Sequence, residues 1–251
     1  MLTHELLGEF FGTCLLVLLG DGIVANNCLA KSKGKDAGWL AITLGWGLAV
    51  MVGSYASGIL GPAHLNPAVT IAFAVKGSLP WSSVLPYILA QLAGGFIGAI
   101  LVWLAYYKHF EETTDSDTIL GIFSTEPAIR SYLHNFITEA IGTFVLVFAV
   151  MTFAKNNLAA GLNPLIVSGL IVSIGLSIGG PTGYAINPAR DLAPRLAHSV
   201  LPISHKGRSD WAYAWVPIFG PIVGAILASL AYMALPPVSY THLTLPTNRE
   251  V

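Results

Sequence analysis

Charge is what this chain lacks: only 10% of its 251 residues are Asp, Glu, Lys or Arg, where a soluble domain carries about 25%. The deficit argues against a water-soluble globule. The net charge is -1, which leaves no electrostatic basis for binding nucleic acid or an acidic partner. Cysteine is equally sparse. Cys14 and Cys28 are the two present, both inside one apolar run, so they offer neither a disulfide framework nor metal-ligand spacing. No cofactor motif and no metal site is expected. Basic residues are missing ahead of the first apolar run, which begins almost at Met1. That run is therefore read as a retained span and not as a cleaved signal peptide.

What the chain has is apolar length. Hydrophobic residues make up 54%, and crossing a hydrocarbon core of roughly 30 Å takes about 20 of them in a helix. Six stretches qualify: 5–28, 37–59, 81–107, 134–154, 158–178 and 211–235. The segment 108–133 holds Glu111, Glu112, Asp115 and Asp117 and reads as an extramembrane loop between two halves. The expected organisation is one channel domain over 1–236, with repeat one at 5–107 and repeat two at 134–235. A polar tail, 237–251, has no counterpart in the first half and is expected to be dispensable, either disordered or foreign to the native sequence.

Two further apolar stretches are too short to span, and both open with the same tripeptide. Asn66-Pro67-Ala68 leads into 69–75, and Asn187-Pro188-Ala189 leads into 190–197. Asparagine is a favoured helix cap and proline a favoured first helical residue. Ten helical residues cover roughly 15 Å, half the core. Each tripeptide thus opens a helix that enters the membrane only halfway.

The halves repeat. Glu9-Phe10-Phe11-Gly12-Thr13 matches Glu139-Ala140-Ile141-Gly142-Thr143, and Ile97-Gly98-Ala99-Ile100-Leu101 matches Val223-Gly224-Ala225-Ile226-Leu227. The pairs Glu9/Glu139, Asn66/Asn187 and Gly98/Gly224 lie 130, 121 and 126 residues apart, a drift that loop lengths absorb. Three full crossings per half make the second half enter from the opposite face, so the repeats are inverted. The fold class that follows is an all-α membrane protein of six transmembrane helices plus two re-entrant half-helices. The N-termini of the half-helices would then face each other at mid-membrane, each with roughly half a positive elementary charge. A cation is repelled there and a neutral solute is not. Irregular backbone at that depth, 61–65 and 179–186, must be buried or line a wet cavity. The intramembrane carboxylates Glu9 and Glu139 need partners, and the free backbone N–H groups of those loops are the natural ones. Asp21 reads as a residue flanking its span, and His134, His198 and His205 as loop-end histidines.

At these residues the sequence resembles the aquaporin superfamily, the major intrinsic proteins, and within it the bacterial glycerol-facilitator or aquaglyceroporin branch. The paired Asn-Pro-Ala motifs carry the resemblance, and Arg190-Asp191 and Pro221-Ile222 are similar to the glycerol branch. It implies a passive channel for glycerol, other small neutral solutes and water that excludes ions and protons. By motif position it implies a filter of Trp46, Tyr184 and Arg190, with Gly175 leaving room, and supporting roles for His64 and Asp191. It also implies a homotetramer in the cell membrane with both termini cytoplasmic. The positive-inside rule favours the reverse orientation, because Lys31, Lys33, Lys35, Lys108, Arg130, Lys206 and Arg208 would fall outside; the resemblance is preferred. A water-selective pore is the alternative reading. A secondary transporter would need an ion site and an intramembrane enzyme a reactive constellation, and neither pattern is present in the sequence.

Overall fold

The computed structural model describes residues 2–236; the tail 237–251 lies outside them. The described residues form ten helices and no strand: α1 Leu2–Cys28, α2 Trp39–Gly58, α3 Pro67–Val75, α4 Trp81–Ala105, α5 Tyr107–Glu112, α6 Ser116–Phe123, α7 Tyr132–Phe153, α8 Asn163–Ile178, α9 Pro188–Val200 and α10 Trp215–Met233. Five of them, α1, α2, α4, α7 and α10, are long and apolar enough to cross a bilayer.

Most boundaries fall within a few residues of those read from hydropathy, and the exceptions have local causes. The stretch expected at 158–178 yields a helix of 16 residues, because Asn163-Pro164 starts α8 and Pro164 fits only its first turn. The final helix begins at Trp215, after turns at 211–214. Segment 108–133 is not plain loop. It contains α6, capped by the Asp115 carboxylate accepting from Thr118 N–H, with Ile119, Leu120, Ile122 and Phe123 buried against α1 and α9.

Contacts between helices follow the internal repeat. α1 packs along α4, and α7 along α10. Each short helix leaves its own half for the other: α3 lies against α10, α9 against α4, and α3 and α9 touch. Close approach depends on glycine. A Cβ at Gly94 or Gly98 of α4 would meet the Phe10 and Cys14 carbonyls of α1. The second half repeats the device, where Gly224 of α10 abuts the Ala140 carbonyl of α7 and Gly220 the Glu139 Cβ. Small residues four apart let helices pack without a hydrophobic driving force, as helix pairs in lipid must.

Candidate functional site

The site is built where α3 and α9 begin. Asn66 caps α3, its side-chain oxygen accepting from Ala68 N–H at 2.9 Å. Asn187 caps α9 the same way, accepting from Ala189 N–H at 3.0 Å and Arg190 N–H at 3.3 Å. Pro67 and Pro188 sit in the first turns. The capping amides also tie the halves together. Asn66 Nδ2 donates to the Ile186 carbonyl and Asn187 Nδ2 to the Leu65 carbonyl, both at 2.8 Å. An amide nitrogen carries two hydrogens, so one on each asparagine remains for a solute.

The backbone ahead of each cap is strained in the same pattern. Ala63 and Leu65 have φ of 56° and 52°, and Tyr184 and Ile186 have φ of 39° and 42°. These left-handed conformations are uncommon for residues with a Cβ, and for β-branched Ile186 a true outlier; each costs on the order of 1–3 kcal/mol. Two buried carboxylates hold them in place. Glu9 accepts from His64 N–H and Leu65 N–H, both at 2.7 Å. Glu139 accepts from Ala185 N–H at 3.0 Å and Ile186 N–H at 2.8 Å. Gln91, a residue the sequence reading passed over, donates to Glu9 and to Thr70 Oγ1. His64 packs its ring against Phe73 and Tyr87 and contacts Thr70 Oγ1 at 3.2 Å through Nδ1.

One cavity of about 560 Å³ runs past both caps. Trp46, His64, Asn66, Tyr184, Asn187 and Arg190 all line it, together with loop residues 62–65 and 184–186. The Arg190 guanidinium carbon stands 3.8 Å from the Trp46 ring centroid, a cation–π contact. The Trp46 ring in turn lies over Gly20 of α1, where a Cβ would collide with it.

Gly175 is placed differently from the expectation. It does not line the cavity. Its missing side chain makes room for Tyr184: a Cβ there would lie 2.7 Å from the Tyr184 Cζ and 2.8 Å from Thr43 Cγ2. The space expected to widen the pore is occupied by the tyrosine ring. Trp39 closes the far side, donating from Nε1 to the Gly175 carbonyl at 3.0 Å and meeting Tyr184 edge-on at 5.8 Å. Asp191 faces away from the cavity. It forms a fully buried ion pair with Arg195 at 2.8 Å and accepts from Thr125 N–H and Oγ1, which fastens the segment after α6 to α9.

Two other sequence readings are corrected. His198 is buried in α9 with Nδ1 2.8 Å from Ser209 Oγ, so it is a packed interior residue. Asp21 is no flanking residue: it is fully buried and lies 3.8 Å from Arg190 Nη1. The signal for it was available. A carboxylate deep inside an apolar run is as expensive at position 21 as at positions 9 and 139.

A helical membrane protein with a mostly apolar cavity that carries a few polar groups, running past two asparagine-capped short helices, is the class these features define. The chain belongs to the Major intrinsic protein family, whose model matches residues 1–232. It is 61% identical over 235 residues to the glycerol uptake facilitator protein 3 of Lactiplantibacillus plantarum, covering 94% of this chain and 98% of that one. It is 58% identical over 226 residues to the probable glycerol uptake facilitator protein of Thermotoga maritima, covering 90% and 97%. Among solved structures, the aquaglyceroporin from Plasmodium falciparum superposes with a TM-score of 0.83 at 31% identity, covering 94% of this chain and 97% of that one.

Proposed function

We propose that this chain is a passive channel that lets glycerol, other small uncharged solutes and water diffuse across the cell membrane while excluding ions and protons. The observation that carries the reading is the single cavity running past both helix-capping asparagines with Arg190, Trp46 and Tyr184 on its wall. In this reading α8 joins the five longer helices as a sixth span. α3 and α9 are half-helices entering from opposite faces of an inverted repeat, and their positive ends repel a cation at mid-membrane. The exchange of α3 and α9 between halves and the crossed asparagine bonds support that arrangement.

The chemistry suits a polyol. Trp46 and Tyr184 offer aromatic faces to a carbon backbone, and the guanidinium of Arg190 offers donors in a fixed fork to neighbouring hydroxyls. Carbonyls of the two strained loops supply acceptors along the path. Glycerol is the named cargo of the relatives at 61% and 58% identity, which favours it over a water-only pore. A homotetramer with both termini cytoplasmic belongs to the same proposal and rests on family membership. Several of the basic residues that argue for the reverse orientation have local partners: Lys31 pairs with Glu112, Arg130 with Asp210, and Lys206 donates to three carbonyls at the end of α9.

Stopped-flow light scattering on proteoliposomes tests the proposal. Glycerol permeability well above that of protein-free vesicles is expected; equality between the two overturns it.

A further inference from the structure

Two ion pairs lie side by side behind the filter, and they differ in kind. Asp191 and Arg195 are fully hydrogen-bonded: the pair closes at 2.8 Å, Thr125 completes the carboxylate, and Arg195 also donates to the carbonyls of Ser209, Asp210 and Thr125. Nothing in that set is left for Arg190. The second pair is Arg190 and Asp21. Asp21 has no exposure, neither carboxylate oxygen has a hydrogen-bond partner, and Arg190 Nη1 is likewise buried and unpartnered. Their separation of 3.8 Å exceeds a hydrogen bond, so the two groups face each other without one. A charge buried without a hydrogen bond is expensive, and Arg190 is the sole basic partner of Asp21 among the described residues.

We infer that Asp21 is the counter-charge of the filter: a buried positioning residue on α1 that balances Arg190 from behind, so that the arginine presents donors to hydroxyls without presenting a full net positive charge. The inference rests on the reading of Arg190 as a filter residue. The neighbouring Gly20 belongs to the same device, since it admits the Trp46 ring that covers the guanidinium's face. Arg190 is thereby held between an aromatic plane and a carboxylate, both referenced to α1. Asn66 and Asn187 at the helix starts remain the barrier to cations. Asp21 keeps the filter from acting as an anion trap.

The prediction concerns the sign of the charge that leaks. Asp21→Asn is nearly isosteric and removes only the counter-charge. In proteoliposomes under imposed potassium diffusion potentials, nitrate permeability relative to glycerol should rise about tenfold in Asp21→Asn over the parent. Arg190→Gln leaves Asp21 uncompensated, and should lower the yield of inserted protein or raise potassium leak. The double variant Asp21→Asn/Arg190→Gln should recover what the Arg190→Gln single loses. A merely structural Asp21 would not move the nitrate-to-glycerol ratio, and its loss would add to that of Arg190 instead of offsetting it. An unchanged ratio in inserted Asp21→Asn overturns the inference. So does a double variant no better than Arg190→Gln, which decides the matter if Asp21→Asn fails to insert. Glycerol flux of the parent in the same vesicles separates the two levels: its absence sinks the channel reading, whereas its presence with an unmoved ratio sinks only the role of Asp21.

Discussion

Tyr184 concentrates the pressures on this site into one residue. Its backbone is left-handed at φ 39°, its ring fills the space beside Gly175 and Gly179, and its hydroxyl is buried with no partner. A buried hydroxyl lacking a hydrogen bond costs stability, and removing it while keeping the ring is neutral or favourable. Tyr184→Phe should therefore hold or raise thermal stability in detergent by up to about 1 kcal/mol. A loss of that size would mean the hydroxyl is bonded. Gly175→Ala should do the reverse. Its Cβ would stand 2.7 Å from the ring, and overpacking forces the neighbour to move; the open side is the cavity. Glycerol permeability in vesicles should then fall about tenfold, with water less affected, and equal losses for both solutes would contradict the geometry. The family resemblance named Gly175 as a residue that leaves room. Which neighbour takes the room is a matter of rotamer and loop shape, and no periodicity records it.

Between elements, the two carboxylates do the work a β-sheet or a helix does elsewhere, satisfying backbone that has left regular structure. Glu9 and Glu139 each accept two consecutive N–H groups from the strained loop of their own repeat. Replacing one by glutamine leaves a single acceptor and turns an NH2 group toward a buried donor, which costs about 1–3 kcal/mol per orphaned group. Glu139→Gln should accordingly lower the melting temperature of detergent-solubilised protein and reduce glycerol flux. Glu9→Gln should behave alike, since it contacts the equivalent residues two and one before the cap. Unchanged melting in both variants would falsify the bracing role. This layer was legible in advance because an intramembrane acid without a partner is so unfavourable that its position predicts one. Gln91 and Thr125 were not legible in the same way. A neutral polar side chain in a helix or loop is common enough to carry no signal until its partner is in view.

On the scale of the whole molecule, each half is incomplete without the other. α3 packs on α10 and α9 on α4, and the crossed bonds from Asn66 and Asn187 reach the loop of the opposite repeat. The family model ends at residue 232, close to the last helix, so truncation after Pro236 should leave glycerol flux in proteoliposomes unchanged; lost flux in well-inserted protein would assign the tail a role in conduction.

The sequence by itself determined the membrane class, the starts of α3 and α9 and the two-fold internal repeat, because hydropathy over 20 residues, a proline's missing N–H and an asparagine cap are local properties. It also anticipated that Glu9 and Glu139 meet the loops, through the high cost of a lone charge in lipid. Only the tertiary structure decided that Tyr184 fills the space beside Gly175, that Asp191 turns to Arg195, and that Asp21 stands behind Arg190. Those pairings join residues as far as 169 positions apart, and burial, distance and the competition among several buried charges for a few partners exist only once the helices are packed.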